Sequence, residues 1–208
     1  MTDDIVLYQG AEAKIIKSTY LGEQVIKKHR IKKTYRIKEI DDMLIAYRTK
    51  EEAKLIHAAR KQGVSVPFIF DIDLQKGIIT MAYIKGKRVK DIFEDIPDKK
   101  RKELCYSIGI AIARLHNSDI IHGDITTSNM IFSENKIYFI DFGLGEINTE
   151  LESKGVDLHV LMETMESTHS IYTNYFSYVM KGYKKEYMGD IKQVERKIND
   201  IILRGRYR

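Results

Sequence analysis

The chain has 208 residues, and its Lys+Arg 35 against Asp+Glu 30 give a formal net charge of +5. That length suits one domain, or one domain of two lobes, with enough chain to bury a core. A hydrophobic content of 43% with 31% charged residues excludes disordered and fibrous classes. No apolar run approaches the ~18 residues a membrane helix needs, so no membrane partner is expected. The opening Met1, Thr2, Asp3 and Asp4 lack the basic and apolar segments of a secretory signal, and the expected location is cytoplasmic or nuclear. The single cysteine, Cys105, cannot form an intrachain disulfide, and no Cys/His cluster has zinc-ligand spacing. Any metal must therefore be a hard cation held by oxygen ligands.

In chain order, the first forty residues read as strands at 6–8, 13–19 and 23–28, with turn signals at Gly10 and Gly22. Between residues 20 and 38 lie Lys27, Lys28, Arg30, Lys32, Lys33, Arg36 and Lys38 against Glu23 alone. The tail adds Arg196, Lys197, Arg204, Arg206 and Arg208 against Asp200. Such clusters are either solvated faces or phosphate contacts for a nucleic acid. From Asp41 the pattern turns helical. Thr49 opens a stretch whose Ala53, Leu55, Ile56 and Ala59 share one side, and Gly63 closes it. Strands follow at 68–72 and 77–84. After Gly86 the texture changes, and Asp98 can cap a helix with a stripe of Leu104, Ile108, Ala111, Ile112 and Leu115. A hairpin at 130–132 and 137–140 comes next, and from Val156 onward the chain reads as helical. The expected fold is α+β.

Chemistry concentrates in His122-Gly123-Asp124-Ile125-Thr126-Thr127-Ser128-Asn129, followed after the hairpin by Asp141-Phe142-Gly143. Magnesium nucleotide chemistry needs oxygen ligands for a hard cation and a separate carboxylate near the attacking hydroxyl. Asp124 and Asn129, five apart on one loop, can divide those tasks, with Asp124 as base and Asn129 on the metal. Asp141, at the end of the hairpin, is placed to be the principal metal ligand. The order H-x-D-x-x-x-x-N, hairpin, D-F-G is the specific signal, since each piece alone is weak.

With that anchor, nearly the whole chain resembles the protein-kinase superfamily. The implied fold is two-lobed, with a strand-rich N-lobe holding one main helix (1–84) and a reduced helical C-lobe with a basic tail (85–208), together one bilobal domain. In this resemblance Gln9, Gly10, Ala11, Glu12 and Ala13 cover the phosphates of ATP. Val25-Ile26-Lys27 matches the V-A-I-K strand, which assigns Lys27 to the α/β-phosphates. Lys28 is adjacent, and strand alternation lets only one of the two point inward. Glu52 becomes the ion-pair partner of Lys27, although Thr49-x-x-Glu52 also reads as a helix capping box. Met81 lines the back of the pocket, or is simply a core methionine, and Ile84 supplies backbone hydrogen bonds to adenine. His122 scaffolds the loop. Asp157 resembles the aspartate that braces it, and in isolation would be an N-cap.

His-Gly-Asp replaces His-Arg-Asp, and a short run without Ala-Pro-Glu separates Gly143 from Asp157. Activation-loop phosphorylation is therefore not expected. With Lys33-x-Tyr35-Arg36, Arg48-Thr49-x-x-Glu52-Ala53, Val156-Asp157-Leu158, Ser167-Thr168-His169 and Arg204-Gly205-Arg206-x-Arg208, this pattern resembles the small atypical protein kinases of the KEOPS complex. The resemblance implies a Mg²⁺- and ATP-dependent Ser/Thr kinase or ATPase that supports threonylcarbamoyladenosine formation in tRNA. It also implies a Kae-type tRNA threonylcarbamoyltransferase subunit as large partner and a Cgi-type small regulator on the N-lobe. The basic tail would contact the large partner or tRNA. The alternatives are a RIO-like ribosome-assembly kinase, a small-molecule phosphotransferase, and a subunit that binds ATP without turnover.

Overall fold

The computed structural model describes residues 4–169 and 174–206; Met1, Thr2, Asp3 and Arg208 of the motifs above lie outside them. Strands β1 (Ile5–Gln9), β2 (Ala13–Tyr20) and β3 (Glu23–Arg30) form an antiparallel meander. A two-residue turn with Leu21 and Gly22 at φ 49° and 84° joins the last two, matching the twist of the flanking strands. Helix α1 (Lys38–Lys61) crosses to β4 (Ile69–Asp73) and β5 (Ile78–Ala82), and the sheet order is β1-β2-β3-β5-β4.

Helix α1 is one continuous element, which corrects the reading of Thr49 as a cap. The Thr49 hydroxyl donates back to the Ile45 carbonyl at 2.6 Å, as a mid-helix threonine does. Buried Asp41 and Ile45 carry the helix through that point. Glu52 is thus free of any capping role.

The remainder comprises β6 (Lys87–Arg88), α2 (Val89–Ile92), α3 (Asp98–Asn117), β7 (Ile120–Ile121), β8 (Met130–Ser133), β9 (Lys136–Phe139), β10 (Glu146–Ile147), α4 (Leu151–Thr168), α5 (Phe176–Glu186) and α6 (Ile191–Arg206). Strands β8 and β9 make the expected hairpin, with Glu134 and Asn135 at positive φ. Asp98 does not cap α3. Pro97 holds the extended cap position, and Asp98, inside the first turn, pairs with Lys102 at 2.7 Å and accepts from the Tyr175 hydroxyl.

One large core joins α3, α4 and α5 through Ile108, Ile112, Leu158, Leu161, Val179 and Tyr183, and it takes in Leu55, Ile56 and Ala59 of α1. A small cluster of Ala53, Ile79 and Met81 packs α1 on the sheet. The helix that carries Glu52 is therefore rooted in both parts of the fold. No described helix is long and apolar enough to cross a membrane.

Candidate active site

A cleft of about 830 Å³ lies between the sheet and the helical part, lined among others by Gly10, Ala11, Glu12, Ala13, Lys28, Glu52, Met81, Ile84, Asp124, Asn129 and Asp141. Gln9, at the end of β1, is not part of that lining. Nor is Lys27, and this corrects the lysine assignment.

Ile26 of β3 sits directly opposite Met81 of β5, so the two share the face that looks into the cleft. Two residues on, Lys28 has the same face, and Lys27 takes the other. Lys28 Nζ lies 2.6 Å from Glu52 Oε1 and 2.6 Å from Asp141 Oδ1. Lys27 instead approaches Asp4 at 3.5 Å. The ion pair expected of Lys27 is made by Lys28. Arg30, next on the same face, donates to Glu52 Oε2 at 2.6 Å. Sequence reasoning missed Arg30 because its period-two relation to the pocket lysine is visible only once Lys28 has been chosen.

Opposite this cluster stands the loop after β7. Asn129 Nδ2 donates to Asp124 Oδ2 at 2.8 Å and to the Asp124 carbonyl at 3.0 Å, which fixes both side chains. Asp124 N–H donates to His122 Nδ1 at 3.3 Å, and His122 Nε2 faces the Ile140 carbonyl at 3.2 Å. This geometry requires a neutral ring with its proton on Nε2. Burial holds the His122 pKa below its ordinary value, despite the acids Asp157 and Asp141 nearby. The loop backbone is gripped by Asp157, which takes His122 N–H at 2.7 Å and Gly123 N–H at 2.9 Å. Asp157 lies inside α4 rather than opening it, because that helix already begins at Leu151.

Gly123 explains the departure from His-Arg-Asp. Its φ is +79°, and a Cβ there would lie 2.2 Å from the Leu144 carbonyl oxygen. No arginine fits where the segment after Asp141 passes this close. That segment is pinned by β10, whose Glu146 and Ile147 pair with Ile121 and Ile120 of β7.

Asp141 adopts the left-handed conformation at φ 65°, tolerable for an aspartate, and its Oδ1 accepts the Gly143 N–H at 3.2 Å. Burial pushes its carboxyl up, but the Lys28 ammonium and the Gly143 N–H outweigh that and hold it below the usual range. Asp141 and Asn129 on the cleft wall are the oxygen donors suited to a hard cation. Two such donors would suit Mg²⁺, which keeps waters and substrate phosphates in its remaining positions. Just after β5, neither the N–H nor the C=O of Ile84 makes a hydrogen bond among the described residues, so both are open to a ligand in the cleft.

A RIO domain family model matches residues 9–145. Over 98% of its length the chain is 46% identical to the KEOPS complex subunit Bud32 of Pyrococcus abyssi, of which it covers 96%. It belongs to the Bud32 family of RIO-domain proteins. This Bud32-family chain is also 43% identical, over 98% of its length, to a probable bifunctional tRNA threonylcarbamoyladenosine biosynthesis protein of Methanobrevibacter smithii, and spans 37% of that protein. A relative of the same description from Methanothermobacter thermautotrophicus is 45% identical, with 36% of its length spanned. Among solved structures, an ADP-bound aminoglycoside phosphotransferase superposes with a TM-score of 0.68 at 16% identity, covering 96% of this chain and 82% of that one. WaaP, in complex with acyl carrier protein, also gives 0.68, at 10% identity, with 97% and 86% covered. Both likenesses are of fold: the two-lobed, protein-kinase-like architecture is confirmed.

Proposed function

We propose that this chain is a Mg²⁺- and ATP-dependent phosphotransferase with ATPase activity, acting within a KEOPS-type complex in support of threonylcarbamoyladenosine formation in tRNA. The observation that carries the chemistry is the convergence of Lys28, Glu52, Asp124, Asn129 and Asp141 on one cleft. The setting follows from the 46% identity to a KEOPS subunit along almost the full chain. The RIO-domain match alone is equally at home in a ribosome-assembly kinase, and the relatives matched along nearly the whole of this chain favour the tRNA reading.

In this reading Ile84 receives adenine through its free backbone groups, and Met81 closes the back of the pocket. Gly10, Ala11, Glu12 and Ala13 cover the phosphates, which Lys28 grips. Asp141 and Asn129 would hold the cation, which would supply neutralisation of phosphate charge. Asp124, aligned by Asn129, accepts the proton of a Ser/Thr hydroxyl or of water as that oxygen bonds to the γ-phosphorus and the bond from the γ-phosphorus to the bridging oxygen breaks, with ADP as the leaving group. Catalysis comes chiefly from positioning and electrostatic stabilisation. The relatives described as probable bifunctional proteins have about a third of their length matched here, which leaves the remainder for a second function in this reading. That remainder corresponds to a Kae-type partner subunit, with a Cgi-type regulator and the basic tail of α6 as further contacts.

The test is ATP turnover by the purified chain with Mg²⁺, following phosphate release and protein phosphorylation together, with and without the tRNA-modifying subunit. Asp124→Ala is expected to lose about 10²- to 10⁴-fold in turnover, and Asp141→Ala to lose Mg²⁺-dependent activity. Unchanged turnover in Asp124→Ala rules the assignment out.

A further inference from the structure

Of the sequence motifs, Ser167-Thr168-His169 has no part in the chemistry above. Helix α4 ends at Thr168, and His169 takes the C-cap position, its N–H donating to the Met165 carbonyl at 3.0 Å. His169 is 1% exposed. Its ring lies over Phe93, with centroids 4.4 Å apart and planes 32° from parallel. That platform is fixed in turn, because the buried Arg101 donates to the Phe93 carbonyl at 2.6 Å and to the Glu94 carbonyl at 3.0 Å. On one edge of the ring Nδ1 is 3.5 Å from Glu94 Oε1, and on the other Nε2 is 3.4 Å from Thr127 Oγ1. Burial holds the His169 pKa below its ordinary value, against the raising effect of Glu94, so the ring is neutral at pH 7. With its proton on the Nδ1 edge, toward the carboxylate, Nε2 is left to accept from the Thr127 hydroxyl. Thr127 has no exposed surface, and a buried hydroxyl without a partner is costly. It opens the 3₁₀ turn Thr127–Asn129, which delivers Asn129 to the cleft. The Asn129 amide is held by Asp124, a member of the same loop. The contact between Thr127 and His169 instead ties the turn to α4, 42 residues further along the chain.

We propose that His169 is a positioning residue for the cation site: by taking the Thr127 hydroxyl it fixes the turn Thr127–Asn129 against α4, and with it the aim of the Asn129 amide. The inference rests on the reading of Asn129 and Asp141 as donors to a divalent cation. Without the His169 contact the turn gains freedom and the cation is held less tightly. The part of the cleft that meets the nucleotide alone is unchanged.

The experiment measures ADP affinity of the full chain by calorimetry, in Mg²⁺ and in excess EDTA, so that the ratio of the two gives the cation-linked gain. Thermal melts check folding, and NMR of the Asn129 side-chain amide in the cation-free protein follows the turn directly. His169→Phe keeps a ring over Phe93 and removes the acceptor, whereas His169→Gln keeps a polar group near the Nε2 position. Thr127→Val removes the hydroxyl at nearly constant shape. His169→Phe is expected to cut the cation-linked gain about five- to tenfold, the low end for groups that support a metal ligand, with ADP affinity in EDTA within about twofold of wild type. Thr127→Val should do the same, and the double variant should lose no more than either single one, since both remove one contact. His169→Gln should retain most of the gain. The Asn129 amide resonances should shift in His169→Phe and return toward wild type in His169→Gln. A folded His169→Phe with the wild-type gain overturns the proposal. So do additive losses in the double variant, and so does an equal loss of affinity in Mg²⁺ and in EDTA, the mark of a merely structural residue. If His169→Phe fails to fold, Thr127→Val takes its place, and an unchanged gain there is equally fatal. Wild-type protein without any cation-linked gain would instead refute the cation reading, and the NMR comparison would still test the hold of His169 on the turn.

Discussion

Glu52 and Asp141 are the two carboxylates that Lys28 joins across the cleft, each at 2.6 Å. Among the described residues, Lys27, one residue away, pairs with only the partly exposed Asp4, at 3.5 Å. Adjacent lysines of equal composition therefore differ in consequence. Lys28→Met should lower turnover by about 10²-fold, the order reported for loss of one preorganised donor to a developing charge. Lys27→Met should stay within about twofold, because an exposed ion pair is worth little. Parallel ATPase assays decide it, and equal losses in the two variants would return the phosphate role to both. Strand alternation by itself lets only one of the two lysines point inward. The choice of which depends on the register Ile26 to Met81, a long-range pairing that no local pattern contains.

Helix packing sets the loop on which Asp124 rides. Asp157, from α4, holds the backbone of His122 and Gly123, and His116 of α3 reaches the same carboxylate through Nε2 at 3.3 Å. Its Nδ1 accepts from the Tyr183 hydroxyl of α5 at 3.0 Å. Three helices thus meet at one carboxylate beneath the loop. Helices α3 and α5 approach almost backbone to backbone, since a Cβ at Gly109 would lie 1.9 Å from the Val179 carbonyl oxygen and one at Gly182 would lie 2.0 Å from that of Tyr106. Gly109→Ala should therefore destabilise by about 1–3 kcal/mol or more through overpacking. Urea unfolding measures this, and a stability equal to wild type would show that the helices can separate freely. The stripe of apolar residues on α3 was visible in the sequence. The roles of Gly109 and Gly182 were not, because the glycines matter only through a helix some seventy residues away.

Considered as a whole, the molecule spends most of its first basic cluster on itself. Lys27, Lys28, Arg30, Lys32, Lys33 and Arg36 each face a carboxylate, respectively of Asp4, Glu52, Glu52, Asp42, Glu12 and Asp41. The cluster braces α1 and the loop between β1 and β2, so much of the positive charge there is paired within the chain. Stability should also depend on pH in a direction the buried histidines set. Burial lowers the pKa of His116 and of His122 from the ordinary 6.5. The unfolded chain then takes up protons that the folded one refuses, so stability is full above about pH 6.5 and falls as pH drops below it. The slope is at most ~1.4 kcal/mol per pH unit for each histidine. Urea midpoints at pH 7.5 and 5.5 should differ accordingly, with a smaller difference in His116→Gln. Identical midpoints would contradict it.

By itself the sequence determined the order of elements, through its resemblance to protein kinases the two-lobed fold, and the placement of Asp124, Asn129 and Asp141 in one motif. Each of these is written in short-range patterns: strand and helix periodicity, turn residues, and a motif whose parts lie within about twenty residues. The tertiary structure alone decided which lysine serves the cleft, that Arg30 shares Glu52, that Thr49 sits within a helix, and that Asp157 reaches the loop from inside α4. Those outcomes depend on strand register, on where a helix begins, and on side chains that meet only after distant segments pack. A buried carboxylate selects its cations by geometry, and geometry is supplied by the folded chain.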